Sequence, residues 1–352
     1  MITQVIKIAI DNIDKEKLRV AAEALKEGKI VAFPTETVYG LGANALNSDA
    51  VEQIFKAKGR PSDNPLIVHI ADKERVYELV EHIPEKAAVL MDKLWPGPIT
   101  LVFNKSPIIP QVITAGLDTV AVRMPEHPVA RELIRMSKIP VAAPSANVSG
   151  RPSTTTAQHV LNDLDGKIDI IIDAGSSQVG LESTVLDVTV NPPMLLRPGG
   201  ITPKQIEDII GPIEIDKTIL GRVNTENIPK SPGMKYKHYA PKAHVIIVKS
   251  TNTNNQVLKI CDLAQTNAIG GKKVGICATD QTIDNYQGYE AISMGDRNKP
   301  ETIAARLFSL LREFDAKDID VILAESVDEN GVGLAIMNRM IKAAGYDVIN
   351  ID

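Results

Sequence analysis

Short apolar runs that alternate with helical patterns constrain the fold of this chain more than any other feature. Apolar side chains recur at helical spacing over residues 14–26, and a continuous apolar run follows at 30–33. The same order returns where Ser48 can cap a helix and two prolines precede the apolar run 66–70. This repetition predicts buried strands that are fed by helices packed on a sheet.

Further apolar runs predict more strands, with helical spacing between some of them. The predicted strands are 99–103, 119–124, 168–173, 183–188 and 194–197, and the predicted helices are 128–137, 156–164 and 202–210. So many strands at close spacing predict one mixed sheet with helices against it. We therefore expect an α/β domain over residues 1–210.

A second domain is expected because 352 residues exceed what one hydrophobic core usually organises. Periodic apolar spacing stops over residues 211–243, where Pro, Gly and Lys indicate a linker. Beyond it, predicted strands 244–248, 273–278 and 321–324 alternate with predicted helices 256–264, 301–314 and 334–344. This alternation predicts a smaller, parallel, Rossmann-like α/β domain over residues 244–352.

Composition narrows the classes of function. A net charge of -5 argues against a protein that binds nucleic acid or anionic lipid with its whole surface, so stable nucleic-acid binding is not expected. Cys261 and Cys277 form no CxxC pair, which predicts neither a disulfide framework nor a zinc site. No stretch approaches the roughly 20 apolar residues that span a bilayer, and a cytoplasmic location without membrane contact is expected.

Loops rich in glycine and hydroxyl groups follow several predicted strands. Residues 33–42 leave a buried strand and are predicted to enter a glycine-containing turn, whose hydroxyls bind a small polar ligand or satisfy local backbone groups. Residues 142–150 would let a ligand approach the backbone closely, or would cap a helix without any ligand. The segments 182–184 and 196–199 are placed in the same way at the ends of the last two strands.

Three cations fall within five positions before a proline-rich loop, namely Lys56, Lys58 and Arg60. Such groups make charge-assisted hydrogen bonds to phosphate oxygens, although a solvated basic helix end interacting with its own dipole has the same pattern. Phosphate binding is therefore one of two interpretations. The sequence has no GxxxxGK loop and no GxGxxG after a strand, so any nucleotide would need a different cradle.

Arg123 shares one face of its predicted strand with Thr119 and Ala121. An arginine in such a position can pair with a substrate carboxylate, or form a buried ion pair with a neighbouring Asp or Glu. His69 lies within an apolar strand, where a lone histidine is usually a satisfied core or edge residue.

Seven motifs in this order resemble the YrdC-like domain of the threonylcarbamoyl-AMP synthase family: PTETVYGLG, KAKGRPSDNPLIVHI, WPGPIT, TVAVRMP, APSANVSG, ESTV and LRPG. The match runs from about Leu18 to Ile210. The later segments SPGMKYKHYAP and GLAIMNRMIKAAG resemble the long form of the family, in which a linker joins a Rossmann-like domain. The resemblance implies a YrdC-like twisted mixed sheet with flanking helices over 1–210, a linker at 211–243 that acts as an active-site lid, and a C-terminal domain over 244–352.

The resemblance also implies a nucleotidyltransferase without a covalent nucleophile. ATP, L-threonine and bicarbonate would give threonylcarbamoyl-adenylate and pyrophosphate, with Mg²⁺ accompanying ATP and no metal site in the protein itself. The product would pass to the machinery that transfers threonylcarbamoyl to tRNA. A non-catalytic RNA-binding or regulatory YrdC-like protein is the alternative.

Motif positions carry the site residues over from the family. The residues implied for the threonine and carbamate end are Thr37, His69, Arg123, Ala143 and Ser183, and Thr35 could share the role of Thr37. The residues implied for the nucleotide are Lys58, Arg60, Asn64, Thr119, Ser145, Ser153, Arg197 and Tyr236. These assignments require the strand-end loops of the first domain to converge on one site.

Overall fold

The computed structural model describes residues 2–219, 221 and 239–352. Among them, residues 2–149, 153–219 and 221 form one compact unit, and residues 150–152 with 239–352 form another. Tyr236 and most of the predicted linker and lid, at 222–238, lie outside the described residues. The predicted domain boundaries and the lid therefore stay predictions.

The first unit is built on an eleven-stranded sheet. Its strands are β1 (Gln4–Lys7), β2 (Val31–Phe33), β3 (Gly40–Asn44), β4 (Ile67–His69), β5 (Ile99–Asn104), β6 (Thr119–Arg123), β7 (Val141–Ala142), β8 (Ile170–Asp173), β9 (Thr184–Asp187), β10 (Met194–Arg197) and β11 (Glu214–Ile215). Its α-helices are α1 (Lys15–Lys26), α2 (Ser48–Lys58), α3 (Val76–Leu79), α4 (Glu85–Leu94), α5 (Gln111–Thr114), α6 (Pro128–Ser137), α7 (Ala157–Leu164) and α8 (Pro203–Ile210).

The order of strands across this sheet is β1-β8-β2-β3-β7-β4-β6-β5-β9-β10-β11. Parallel and antiparallel pairs alternate irregularly: β4 runs parallel to β6, whereas β5 runs antiparallel to β6 and parallel to β9. The predicted mixed sheet is thus confirmed. Its centre brings together strands that are distant in sequence, which places their terminal loops side by side.

Helix α1 shows why the flanking helices pack as they do. The Asp14 side chain accepts a hydrogen bond from the Lys17 backbone N–H and so caps the helix. Leu18 and Leu25, on one face of the helix, are fully buried against strands β2 and β8 and against α6. The apolar spacing that predicts the helix therefore also selects the face that packs on the sheet.

The prediction of a glycine-containing turn through residue 42 was wrong at its C-terminal end. Residues Gly40–Asn44 form strand β3, which pairs antiparallel with β2. A Cβ atom on Gly42 would come within 2.7 Å of the Phe33 ring and 2.8 Å of Val141. Glycine is needed here because neighbouring side chains cover the strand, and not because the chain turns.

Strand β11 lies within the predicted linker. It runs parallel to β10, with Met194 opposite Glu214 and Leu195 opposite Ile215. Both β11 residues are exposed, so the strand adds backbone pairing and little apolar burial. The sheet of the first unit therefore continues past residue 210.

The second unit contains a five-stranded, entirely parallel sheet in the order β14-β13-β15-β12-β16. Its strands are β12 (His244–Lys249), β13 (Val274–Ala278), β14 (Glu290–Ser293), β15 (Val321–Glu325) and β16 (Val348–Asn350), and its α-helices are α9 (Thr253–Ile269), α10 (Pro300–Ala316) and α11 (Gly333–Ala343). This confirms the Rossmann-like α/β prediction. The edge strands β14 and β16 were not predicted.

A buried polar network closes the carboxyl end of the central strand β15. Glu325 is fully buried and accepts hydrogen bonds from the Tyr286 hydroxyl at 2.7 Å and the Thr279 hydroxyl at 2.9 Å. The Arg297 guanidinium lies 2.8 Å from the same carboxylate. Both oxygens of Glu325 thus have protein partners, as a buried charge requires.

Candidate active site

The loop after β2 forms the first wall of the candidate site. The Thr35 hydroxyl donates to the Val38 carbonyl at 2.6 Å and accepts from the Thr37 and Val38 backbone N–H groups at 3.2 Å, which closes a local turn. The Thr37 hydroxyl lies 2.8 Å from that of Thr35 and accepts from Arg123 at 2.8 Å. Thr35 therefore shapes the loop, while Thr37 contacts the arginine implied for the substrate.

Arg123 ends strand β6, beside His69 on β4 and Thr100 on β5. Its Nη2 donates to Glu36 Oε1 at 2.5 Å, and its Nε donates to the Gly97 carbonyl at 3.3 Å. The buried ion pair considered from the sequence is thus present. With Thr37, three of the five guanidinium N–H groups have acceptors among the described residues, which leaves two for a ligand carboxylate.

His69 is buried next to this ion pair. Burial, together with the positive charge of Arg123, lowers the pKa of His69 to about 3. Its Nδ1 lies 3.2 Å from the Ile67 carbonyl, and backbone hydrogen bonds with Ile67 and Val141 raise the pKa by less than burial lowers it. The ring is therefore neutral, and it meets the Phe33 ring edge-on with 6.3 Å between centroids.

Ser183 and Arg197 connect the two implied ends of the site. Arg197 donates from Nε to the Ser183 carbonyl at 3.0 Å and from Nη2 to the Ser183 hydroxyl at 3.1 Å. That hydroxyl also hydrogen-bonds Thr100 at 2.8 Å, and Thr100 is the register partner of Arg123. A residue implied for threonine and one implied for the nucleotide are thus in direct contact.

The glycine of the LRPG motif has a steric role in this connection. A Cβ atom on Gly199 would lie 2.2 Å from the Thr184 nitrogen and 2.5 Å from the Ser183 carbonyl carbon. Both are backbone atoms of the neighbouring strand, so they cannot rotate away. Only glycine allows the loop to lie against Ser183.

Lys58, at the end of α2, is buried and turned toward the APSAN loop. Its Nζ donates to the Ser145 carbonyl at 2.5 Å and the Asn147 carbonyl at 2.6 Å. The Ala143 nitrogen in turn donates to Ile67 on β4 at 3.0 Å. These two bonds fix the direction of the ammonium group.

The implied nucleotide end extends along the loop after α2. Gly59 ends the helix in the left-handed conformation, and the Arg60 guanidinium lies 6.0 Å from the Phe55 ring centroid. Arg60 borders a cavity of about 440 Å³, which none of the residues implied for threonine lines. Asn64 is fully buried, and neither atom of its side-chain amide has a hydrogen-bond partner in the described part of the chain.

Thr119 and Ser153 complete the described nucleotide set. Thr119 begins β6 and Arg123 ends it, so the two lie about 13 Å apart at the rise of ~3.3 Å per residue. The Ser153 hydroxyl donates to Glu182 at 2.5 Å. Tyr236 lies outside the described residues.

Sequence reasoning missed several buried polar residues of this region. Glu36 sits inside the PTET motif, and its acidic side chain between two threonines was the available signal. Thr100 was given no role, and Glu182 was named only as part of the segment 182–184, because their partners, Ser183 and Ser153, are distant in sequence. Within residues 2–219, 221 and 239–352, no three His, Cys, Asp or Glu side chains cluster as a metal site needs.

Comparison with known proteins decides the family. The family model described as "Telomere recombination" matches residues 23–199, and that described as "Threonylcarbamoyl-AMP synthase, C-terminal domain" matches residues 201–345. The threonylcarbamoyl-AMP synthase of Pyrococcus abyssi is 51% identical over 341 residues, 97% of this chain and 98% of the relative. The chain belongs to the threonylcarbamoyl-AMP synthase family. The resemblance seen in the motifs is thereby confirmed.

Other members of the threonylcarbamoyl-AMP synthase family match at similar extent. The Bacillus subtilis protein is 53% identical over 331 residues, 94% of this chain and 93% of that protein. The crystal structure of P. abyssi Sua5 complexed with L-threonine has a TM-score of 0.94 at 50% identity, covering 99% of this chain and 100% of that chain. In the part of this chain that the structure describes, no helix is long and apolar enough to cross a membrane.

Proposed function

We propose that this chain uses ATP to convert L-threonine and bicarbonate into threonylcarbamoyl-adenylate and pyrophosphate. Near-full-length identity to proteins named threonylcarbamoyl-AMP synthase supports the reaction. The relative complexed with L-threonine supports that amino acid as a substrate.

One structural observation carries the proposal: Ser183, implied for threonine, is hydrogen-bonded directly to Arg197, implied for the nucleotide. Ser183 also hydrogen-bonds Thr100, the register partner on β5 of Arg123, which in turn donates to Thr37. An enzyme that joins an amino-acid derivative to a nucleotide must hold both substrates in contact. The Ser183–Arg197 contact places side chains implied for the two substrates next to each other.

The chemistry needs positioning more than a reactive side chain. The amine of threonine and bicarbonate combine with loss of water to give a carbamate. A carbamate oxygen then attacks the α-phosphorus, and the bond from that phosphorus to the pyrophosphate oxygen breaks. Arg123 would hold the threonine carboxylate with its two remaining N–H groups, while Lys58 and Arg197 would offset charge on the phosphates.

Magnesium enters this proposal only as the companion of ATP. Glu36 and Glu182 are acidic side chains of the described site, and neither belongs to a group of three His, Cys, Asp or Glu side chains that could hold a metal ion. These residues do not fit a protein-held Mg²⁺ site. The ion would be coordinated by the phosphates of ATP, and no step above depends on it.

The decisive assay is incubation of the full chain with ATP, L-threonine, bicarbonate and Mg²⁺, followed by mass spectrometry. The expected product is threonylcarbamoyl-adenylate, with pyrophosphate in equal amount. Omission of threonine or bicarbonate should abolish both. Pyrophosphate release that does not depend on threonine would contradict the proposal.

The product would be consumed by a separate enzyme that transfers threonylcarbamoyl to tRNA, as the family resemblance implies. No observation favours the alternative of a non-catalytic RNA-binding protein. The net charge of -5 of this chain also disfavours extensive contact with the phosphate backbone of a nucleic acid.

A further inference from the structure

Glu36 has one carboxylate oxygen that the protein leaves unused. The side chain is 5% exposed, and its Oε1 accepts from Arg123 Nη2. Its Oε2 is buried and has no hydrogen-bond partner among the described residues. A buried charged oxygen without a donor is costly, so an arrangement that retains one calls for an occupant.

The position of Glu36 is held from both sides. Its carbonyl accepts from the Val179 backbone N–H at 2.7 Å, and the next residue, Thr37, accepts from the same guanidinium. The carboxylate therefore has a fixed orientation beside Arg123. Its unused oxygen lies within the group of residues that the family resemblance assigns to threonine.

His127 supplies a second observation at the same place. It is 8% exposed, and neither ring nitrogen has a hydrogen-bond partner in the described structure. Burial lowers the pKa of His127, while the negative charge of Glu36 acts in the opposite direction. The charge of Glu36 therefore acts on a buried imidazole, and both side chains have polar atoms without a hydrogen-bond partner among the described residues.

We propose that Oε2 of Glu36 binds the α-ammonium group of the amino-acid substrate while Arg123 binds its α-carboxylate. The inference rests on the proposed function and adds a specificity-determining residue to it. An amino acid is a zwitterion, and the Arg123–Glu36 pair presents the opposite charge to each of its ends. The Arg123–Glu36 ion pair and the zwitterion each have a net charge of zero, so their association buries no net charge.

Two ligands separate this role from a purely structural one. L-Threonine and (R)-3-hydroxybutanoate share the carboxylate, the methyl group and the hydroxyl, and differ in the ammonium group. Calorimetric dissociation constants for the full chain should favour threonine by about 10-fold to 100-fold, the size expected for a hydrogen bond between charged groups. Wild-type protein that binds both ligands equally would overturn the proposal without any variant.

The variant Glu36→Gln keeps the shape of the side chain and removes its charge. It should weaken threonine binding by about 10-fold or more and leave hydroxybutanoate binding nearly unchanged. Equal weakening of both ligands would show that Glu36 only orients Arg123, and would refute the proposal. Asp187→Asn is the matched control, because Asp187 is also buried but accepts from Thr189 instead.

Adenylate synthesis by the same wild-type preparation distinguishes this inference from the proposed function. A wild-type protein that makes no adenylate counts against the proposed function. An active enzyme whose preference for threonine survives Glu36→Gln counts against the role of Glu36 alone. If Glu36→Gln does not fold, equal wild-type dissociation constants for the two ligands would still overturn the proposal.

Discussion

The buried Arg123–Glu36 pair makes a quantitative prediction about stability that does not depend on the reaction. The two side chains are 4% and 6% exposed, so neither charge is screened by water. Arg123→Met would remove one charge and leave Glu36 buried without a counter-ion. Breaking a buried pair in this way costs about 3–5 kcal/mol of unfolding free energy.

The single tryptophan of the chain makes this measurable in one unit. Trp95 is buried in the first unit, and its indole N–H donates to the Ile99 carbonyl at 3.0 Å. Urea titration followed by tryptophan fluorescence therefore reports the unfolding of the unit that contains Arg123. The midpoint should shift to lower urea, with little change in the slope of the transition.

An exposed ion pair of the same unit provides the control. Arg135 lies 2.8 Å from Asp72, and the two side chains are 44% and 51% exposed. Arg135→Met should cost no more than about 1 kcal/mol, because water and salt screen that pair. An Arg123→Met protein as stable as Arg135→Met would refute the reasoning. The double variant Arg123→Met with Glu36→Met should regain most of the loss, because no buried charge is left unpaired.

Three further predictions follow from individual residues. Gly199→Ala should lower the unfolding free energy by about 1–3 kcal/mol, and the urea midpoint with it, because the added methyl group would lie 2.2 Å from the Thr184 nitrogen. An unchanged midpoint would contradict the steric argument. Asn64→Ala should raise the KM for ATP by about 10-fold without lowering stability, because the buried amide has no hydrogen-bond partner among the described residues. A clear loss of stability with an unchanged KM would contradict a role of Asn64 in nucleotide binding. The pKa of His69 is lowered from 6.5 to about 3, so between these pH values the unfolded chain binds a proton that the folded chain does not. The unfolding free energy should therefore fall by up to about 1.4 kcal/mol for each pH unit below pH 6.5. Urea titrations at pH 7 and pH 5 should show a smaller fall for His69→Phe than for the wild-type chain.

Elements with strong local signals were predicted closely. Helix α6 and strand β10 have the predicted bounds of 128–137 and 194–197, because proline at the helix start and prolines on both sides of a short apolar run are local features. The start of strand β3 was predicted as part of a turn because it contains two glycines. In the structure, Gly42 is needed because Phe33 and Val141 leave no room for a side chain. That requirement arises from neighbouring strands and leaves no mark on local periodicity.

The candidate site divides in the same way. Motifs identify the loops that carry Thr37, Arg123 and Arg197, since hydroxyls, cations and glycine at strand ends are visible in the chain. The separation of roles between Thr35 and Thr37 was left open, and the contacts now show that Thr35 closes the local turn. The partner of Arg123 also remained open, because an arginine on a strand pairs equally well with a substrate or with a protein carboxylate.

The sequence by itself determined the alternation of helices and strands, the two α/β regions and the family, because apolar periodicity and motif order are properties of the linear chain. Only the tertiary structure decided that Glu36 meets Arg123 across 87 positions and that Ser183 meets Arg197. Strand order in a mixed sheet brings such residues together, and that order depends on packing summed over the whole unit. The tertiary structure is also needed to identify the unused oxygen of Glu36, because whether a polar atom has a hydrogen-bond partner depends on all of its neighbours in space.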